Sequence, residues 1–268
     1  MRIALISLDQ CWHDKDANFA RCEAFVREAK IERCDLIIFP EMTLTGYSLQ
    51  IEKVVEPIDS SLTLQRFGNL SVDIGINIIF GACLTDNLTG KPGNMFCLAT
   101  NDGTSQPIYV KTHPFSFVGE DKVLEAGASP ATAEVGALRF NASICYDLRF
   151  PELYSLTSRV CNAGVVIANW PALRISHWHA LLVARAIENQ AFMFGVNRIG
   201  KDGNQLVYQK SSQIITPDGK TMVPVLTGEE LDIYEIDPED ASRYREKFPT
   251  LRDKRHALYR KFLDADLC

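Results

Sequence analysis

Apolar residues recur along the chain in two rhythms. Short unbroken or alternating runs bounded by turn residues read as strands: Ile3–Leu8, Leu36–Phe39 stopped by Pro40, and Ile76–Leu84. So do Gly164–Asn169, Phe192–Arg198, Ser212–Thr216, Met222–Val225 and Leu231–Ile236. Asn94–Thr100 and Gln106–Lys111 form a hairpin about Asn101-Asp102-Gly103. Thr132–Tyr146 reads as paired strands. A helical period runs through Phe19, Cys22, Phe25 and Val26 within Asn18–Lys30. Leu62–Val72, Pro151–Cys161 opened by Pro151, Ser176–Gln190 capped by Ser176, and Pro238–Phe248 are further helices.

Strands and helices alternate and the chain closes in strands, with no linker, repeat or low-complexity segment. That pattern predicts an α/β fold in one domain over residues 1–268. Between Thr112 and Pro130 lies a long segment of mixed polarity. A loop of that length in a compact domain is often functional.

Composition adds limits. Of 268 residues 46% are apolar, enough for a large core, and the net charge is −6. No basic stripe points to nucleic acid. The N-terminal apolar run is too short for a signal segment, and none approaches the roughly 20 residues that span a bilayer. A cytoplasmic protein is expected. The 8 cysteines are scattered without a Cys-x-x-Cys pair, so they are expected to be reduced, with Cys268 exposed at the terminus. His177 and His179 sit two apart on a helix and point to different faces, a poor metal pair. Gly81-Ala82-Cys83 and Gly200–Gly203 lack the glycine spacing of a phosphate loop. The charge-rich Asp240–Lys261 segment reads as a solvated helix with some dimer contacts.

Three polar residues end apolar runs: Glu41 after Leu36–Pro40, Lys111 after Pro107–Val110, and Cys145 after Phe140–Ile144. Together they suit acyl transfer. A thiolate is a strong nucleophile and a nearby cation helps create it. A carboxylate can take the thiol proton and later activate water. An ammonium can stabilise the oxyanion of a tetrahedral intermediate. Each also has a bland reading: a core thiol, or a structural ion pair between Glu41 and Lys111.

Phe39-Pro40-Glu41, Tyr109-Val110-Lys111 and Ile144–Glu152 resemble, in order, the three signature motifs of the nitrilase superfamily of carbon–nitrogen hydrolases. Ala168-Asn169-Trp170-Pro171 and Arg185–Gln190 extend the resemblance. It implies a four-layer α-β-β-α sandwich, paired across a two-fold axis as a homodimer or built into a higher homo-oligomer. It makes Glu41 the general base, Lys111 the oxyanion stabiliser and Cys145 the nucleophile, with the Tyr146 N–H completing the oxyanion hole. Glu120 matches a second active-site glutamate, or is a solvated loop charge.

Within the superfamily the chain is most similar to the omega-amidase group at Cys145–Pro151, Ala168–Pro171, Ala186–Ala191 and Tyr244–Pro249. That implies a small-molecule substrate, the terminal amide of 2-oxoglutaramate or 2-oxosuccinamate, and no cofactor. Arg149 is the first candidate for the substrate's far carboxylate, or else bridges Glu152 or Glu188. Arg174 is a second cation, Tyr47 a hydroxyl donor, and Trp170 and Phe115 pocket walls or core aromatics. The competing readings are an amidase for deaminated glutathione or an N-carbamoyl compound, a true nitrilase, and a catalytically silent binding protein on this fold. A Cys-His-Glu glutaminase is disfavoured, since no His-x-Glu segment follows Cys145.

Overall fold

The computed structural model describes residues 1–87 and 89–263. Along the chain come β1 (Arg2–Ile6), α1 (Lys15–Ile31), β2 (Leu36–Ile38), α2 (Ile51–Val54) and β3 (Glu56–Pro57). They are followed by α3 (Leu62–Ile74), β4 (Asn77–Thr85), β5 (Pro92–Ala99), β6 (Ser105–Val110), β7 (Ala131–Val135) and β8 (Leu138–Ile144). Then come α4 (Pro151–Thr157), β9 (Ala163–Ala168), α5 (Ile175–Asn189), β10 (Phe192–Asn197), β11 (Gly200–Lys201) and β12 (Val207–Tyr208). Last are β13 (Gln213–Ile215), β14 (Leu226–Thr227), β15 (Leu231–Glu235), α6 (Glu239–Lys247) and α7 (His256–Leu263).

The strands form two main sheets. One is ordered β14-β15-β1-β2-β4-β5-β6 with β3 on β4; the other is β13-β10-β9-β8-β7. The period-2 alternation of β1 decides which face goes where. Ala4 and Ile6 pack with Cys22, Val26 and Ala29 of α1 and Phe67 and Leu70 of α3. Ile3 and Leu5 turn to the opposite face, into the core shared with Phe140, Ala142 and Ile144 of the second sheet. Phe96 and Phe140 meet there, ring centroids 6.2 Å apart. Trp178, Leu182 and Ala186 of α5 close that core from outside. The result is the expected four-layer α-β-β-α sandwich.

Local chemistry sets the ends of the elements. Asp14 accepts the Ala17 N–H at 3.0 Å to start α1, and Ser61 accepts the Leu64 N–H at 3.1 Å to start α3. Gly75, at φ 71°, ends α3 in the left-handed region. The hairpin β5–β6 forms as read.

Some expectations fail. Ser176 does not cap α5, which begins one residue earlier behind a 3-10 turn, Ala172–Arg174, and has no side-chain cap. The α4 helix stops at Thr157 rather than Cys161; the hydroxyls of Thr157 and Ser158 take the carbonyls of Tyr154 and Ser155. Met222–Val225 is no strand. Met222 donates to Ile214 of one sheet and Val225 to Ile233 of the other, so the segment crosses between sheets and leaves Val223 exposed. The charged C-terminal segment is two helices, α6 and α7, separated by Pro249 and a 3-10 turn. Cys268 lies outside the described residues. All cysteines within them are free thiols. No helix among the described residues is long and apolar enough to cross a membrane.

Candidate active site

Glu41, Lys111 and Cys145 each stand just past a strand, β2, β6 and β8 respectively. Those strand ends converge on one pocket, with an empty volume of about 560 Å³ including its open mouth. All three residues line it. So do Tyr47, Phe115, Tyr146, Arg149, Trp170 and Arg174.

The turn carrying Glu41 is pinned to its surroundings. Gln10 Nε2 donates to the carbonyls of Glu41, Met42 and Thr43 at 3.0, 2.9 and 3.1 Å. The Thr43 N–H donates to Gly81 O at 2.9 Å, and the Gly81 N–H returns to Thr43 Oγ1 at 2.9 Å. Met42 has φ 44° and Cys145 φ 47°, a region non-glycine residues seldom occupy. Backbone strain of this kind persists only where neighbours over-determine it.

Glu41 is wholly buried, and every oxygen of its carboxylate has a donor. Oε1 accepts from Asn94 Nδ2 at 2.7 Å and Lys111 Nζ at 3.1 Å; Oε2 accepts the Asn169 N–H at 2.8 Å. Glu120 is no solvated charge. It is fully buried, and its two oxygens accept from Lys111 Nζ at 3.0 and 2.9 Å. The Phe115 N–H and Asn94 Nδ2 donate to it at 2.6 and 3.2 Å. Lys111 is therefore held between two carboxylates. Burial alone would discharge its ammonium, but Glu41 and Glu120 outweigh it and keep the lysine well above its ordinary value. Burial likewise pushes the Glu120 carboxyl up, but the Lys111 charge and the Phe115 N–H bring it below the usual carboxylate range.

The thiol differs from the sequence expectation. Burial, and then the Glu41 charge, push Cys145 well above the ordinary thiol value; Lys111 pulls down without reversing this. The cation beside Cys145 does not make it a standing thiolate. A thiol in this state needs a proton acceptor at the moment of attack. Its sulfur lies 3.9 Å from the Asn169 carbonyl.

Above the charged floor the walls are aromatic. Trp170 is buried, packs on Trp178 at 5.4 Å and donates from Nε1 to Arg174 O at 2.8 Å. Arg149 lies over its ring at 4.7 Å, and Arg174 over Phe115 at 5.8 Å. Neither guanidinium pairs with a carboxylate among the described residues. Glu188, the suggested structural partner of Arg149, accepts from Arg185 at 3.1 Å instead. The hydroxyl of Tyr47 is buried without a hydrogen-bond partner among the described residues.

Sequence reading passed over Asn94, Asn169 and Tyr208, all buried and all at the site. Asn94 carried a usable signal, a lone polar residue inside the apolar strand β5. Asn169 lies within the Ala168–Pro171 motif, where nothing in the sequence singles it out from its neighbours. Tyr208 lies on a two-residue strand that no periodicity marks.

A model of the family described as carbon-nitrogen hydrolase matches residues 2–246. Omega-amidase YafV of Yersinia enterocolitica is 32% identical over 255 residues, covering 94% of this chain and 96% of that protein. The 2-oxoglutaramate amidase of Bacillus subtilis is 28% identical over 258 residues, 96% of this chain and 98% of that one. Among solved structures, a CN-hydrolase superfamily protein of Xanthomonas campestris, with an arsenic adduct in its active site, aligns at TM-score 0.87. It is 31% identical over 95% of this chain and 97% of its own.

Proposed function

The chain belongs to the carbon–nitrogen hydrolase family, and from that premise we propose an amidase that cuts the terminal amide of a small carboxylate-bearing substrate. The substrate class is that of 2-oxoglutaramate or 2-oxosuccinamate, and the products are the acid and ammonia. The observation that carries this reading is the pocket itself: Glu41, Lys111 and Cys145 line it together with two guanidiniums, Arg149 and Arg174, that have no carboxylate partner among the described residues.

In the proposed cycle the Cys145 sulfur attacks the amide carbonyl while Glu41 takes the thiol proton. Lys111 Nζ, with the Tyr146 N–H, meets the developing oxyanion. Glu41 passes its proton to the leaving nitrogen, ammonia departs, and a thioester remains. Water then attacks the thioester, giving its proton to Glu41, and the acid leaves as the thiol is restored. Glu120 holds Lys111 in place. Arg149 takes the far carboxylate in a two-point contact, with Arg174, Tyr47, Phe115 and Trp170 shaping the rest of the pocket. Free thiols at every described cysteine suit the cytoplasm. Exposed Leu156, Val160 and Ile187 on the outer layer suit a homodimer.

Ammonia release over a panel of 2-oxoglutaramate, an N-carbamoyl amine, a nitrile and glutamine tests the assignment. Turnover of 2-oxoglutaramate at least about tenfold above the carbamoyl amine and the nitrile is expected, since a site built for a carboxylate discriminates strongly against substrates lacking it, while glutamine, which keeps that carboxylate, reads the selection against a 2-amino group. A preference for the carbamoyl compound or the nitrile would replace the reading.

A further inference from the structure

Asp147, two residues past the thiol, is wholly buried. Its Oδ2 accepts the Ile144 N–H at 2.9 Å and the Tyr109 hydroxyl at 2.8 Å. Its Oδ1 accepts the His113 N–H at 3.0 Å and faces His113 Nδ1 at 2.8 Å, which carries the proton when its partner is a carboxylate. Tyr109 Oη also accepts the Thr112 N–H at 3.0 Å, and the His113 ring stacks on Phe150 at 3.8 Å.

These partners fall into two groups. Ile144 and Asp147 flank Cys145 in the chain. Tyr109, Thr112 and His113 flank Lys111. One carboxylate thus ties the turn that carries the sulfur to the strand end that carries the ammonium. A buried carboxylate is costly unless donors satisfy it, and these donors come from both segments. The tie also bears on the left-handed backbone of Cys145, because Ile144 is the residue before it.

We propose that Asp147 is a positioning residue that sets the placement of Lys111 relative to the Cys145 sulfur. It touches no reacting atom. The inference rests on the amidase reading, in which the oxyanion formed by the sulfur's attack must arrive at Lys111. A misplacement of about 1 Å in such a pair costs on the order of 100-fold in rate.

A purely structural role makes a different forecast, because alkylation and turnover need different things. Iodoacetamide needs only the sulfur; amide hydrolysis needs the sulfur and the ammonium together. Asp147→Asn puts an NH₂ group against N–H and O–H donors and breaks the tie on one side. With alkylation followed at Cys145 by peptide mass spectrometry, because the exposed Cys11 thiol also reacts, and rates expressed per alkylatable Cys145, kcat is expected to fall about 100-fold, with KM and the Cys145 alkylation rate each within about threefold of wild type. If Asp147→Asn does not fold, Tyr109→Phe removes one donor and is expected to show the same split with a fall of about tenfold. A lower Tm with unchanged kcat per thiol overturns the proposal. So does an equal loss of alkylation and turnover. Wild-type protein that alkylates normally yet hydrolyses no amide overturns the amidase reading itself, and the proposal with it.

Discussion

Asn169 donates two hydrogen bonds to Glu41, one to each end of the residue: its N–H to Oε2 at 2.8 Å and its Nδ2 to the backbone carbonyl at 2.7 Å. Its own carbonyl stands 3.9 Å from the Cys145 sulfur. Asn169 thereby holds the proposed base at the thiol while contributing no charge. Asn169→Ala keeps the backbone donor and loses the side-chain one. The expected result is a kcat lower by about tenfold with KM nearly unchanged, measured by steady-state ammonia release.

Alkylation of the thiol and amide turnover are expected to move in opposite directions when Glu41 loses its charge. With the Cys145 thiol raised by burial and by Glu41, its thiolate fraction keeps growing as pH rises through and beyond the ordinary value of 9.0. Alkylation by iodoacetamide is therefore expected to rise steadily up to that pH, without a plateau near neutrality. Glu41→Gln removes the negative neighbour, so the thiol titrates lower and alkylation at pH 8 speeds up, while amide turnover collapses for want of a proton acceptor. A slower alkylation in that variant would show that Glu41 does not act on the thiol electrostatically.

Arg149 rests against Trp170 and meets no carboxylate among the described residues. In Arg149→Lys the planar fork becomes a point charge. KM for a carboxylate-bearing amide is expected to rise at least about tenfold, and KM for a neutral amide to stay put. Equal effects on both would remove Arg149 from substrate binding.

Gly81 lies beneath the Glu41 turn. A Cβ built there would stand 2.4 Å from Met42 N and 2.9 Å from Glu41 Cα, backbone atoms with nowhere to go. Gly81→Ala is expected to cost about 1–3 kcal/mol of stability and to lower kcat by moving the turn. Thermal unfolding and turnover together check this.

The layered fold was legible because a strand buried on both faces reads as an unbroken apolar run: Ile3 and Leu5 enter one core, Ala4 and Ile6 the other. Met222–Val225 shows the limit: the run is apolar, but it carries Pro224 and its backbone bonds split between two sheets, a relation visible only in three dimensions. At the site, Glu41, Lys111 and Cys145 stood out because a charged or reactive residue at the end of an apolar run is conspicuous. Asn94, Asn169 and Asp147 did not. Neutral amides and turn aspartates are common in loops for local reasons, and what distinguishes these three is which distant atoms they reach. The state of the thiol was also hidden, because the balance of burial, carboxylate and ammonium depends on how deeply each is set.

The central claim is that the Cys145 sulfur forms a thioester with the acyl part of an amide. Rapid mixing of wild-type protein with 2-oxoglutaramate, acid quench and peptide mass spectrometry tests it most directly. An adduct on Cys145 equal in mass to the substrate less ammonia is expected, with neither adduct nor ammonia release in Cys145→Ala. Continued ammonia release by Cys145→Ala, or an adduct on any other residue, would contradict it.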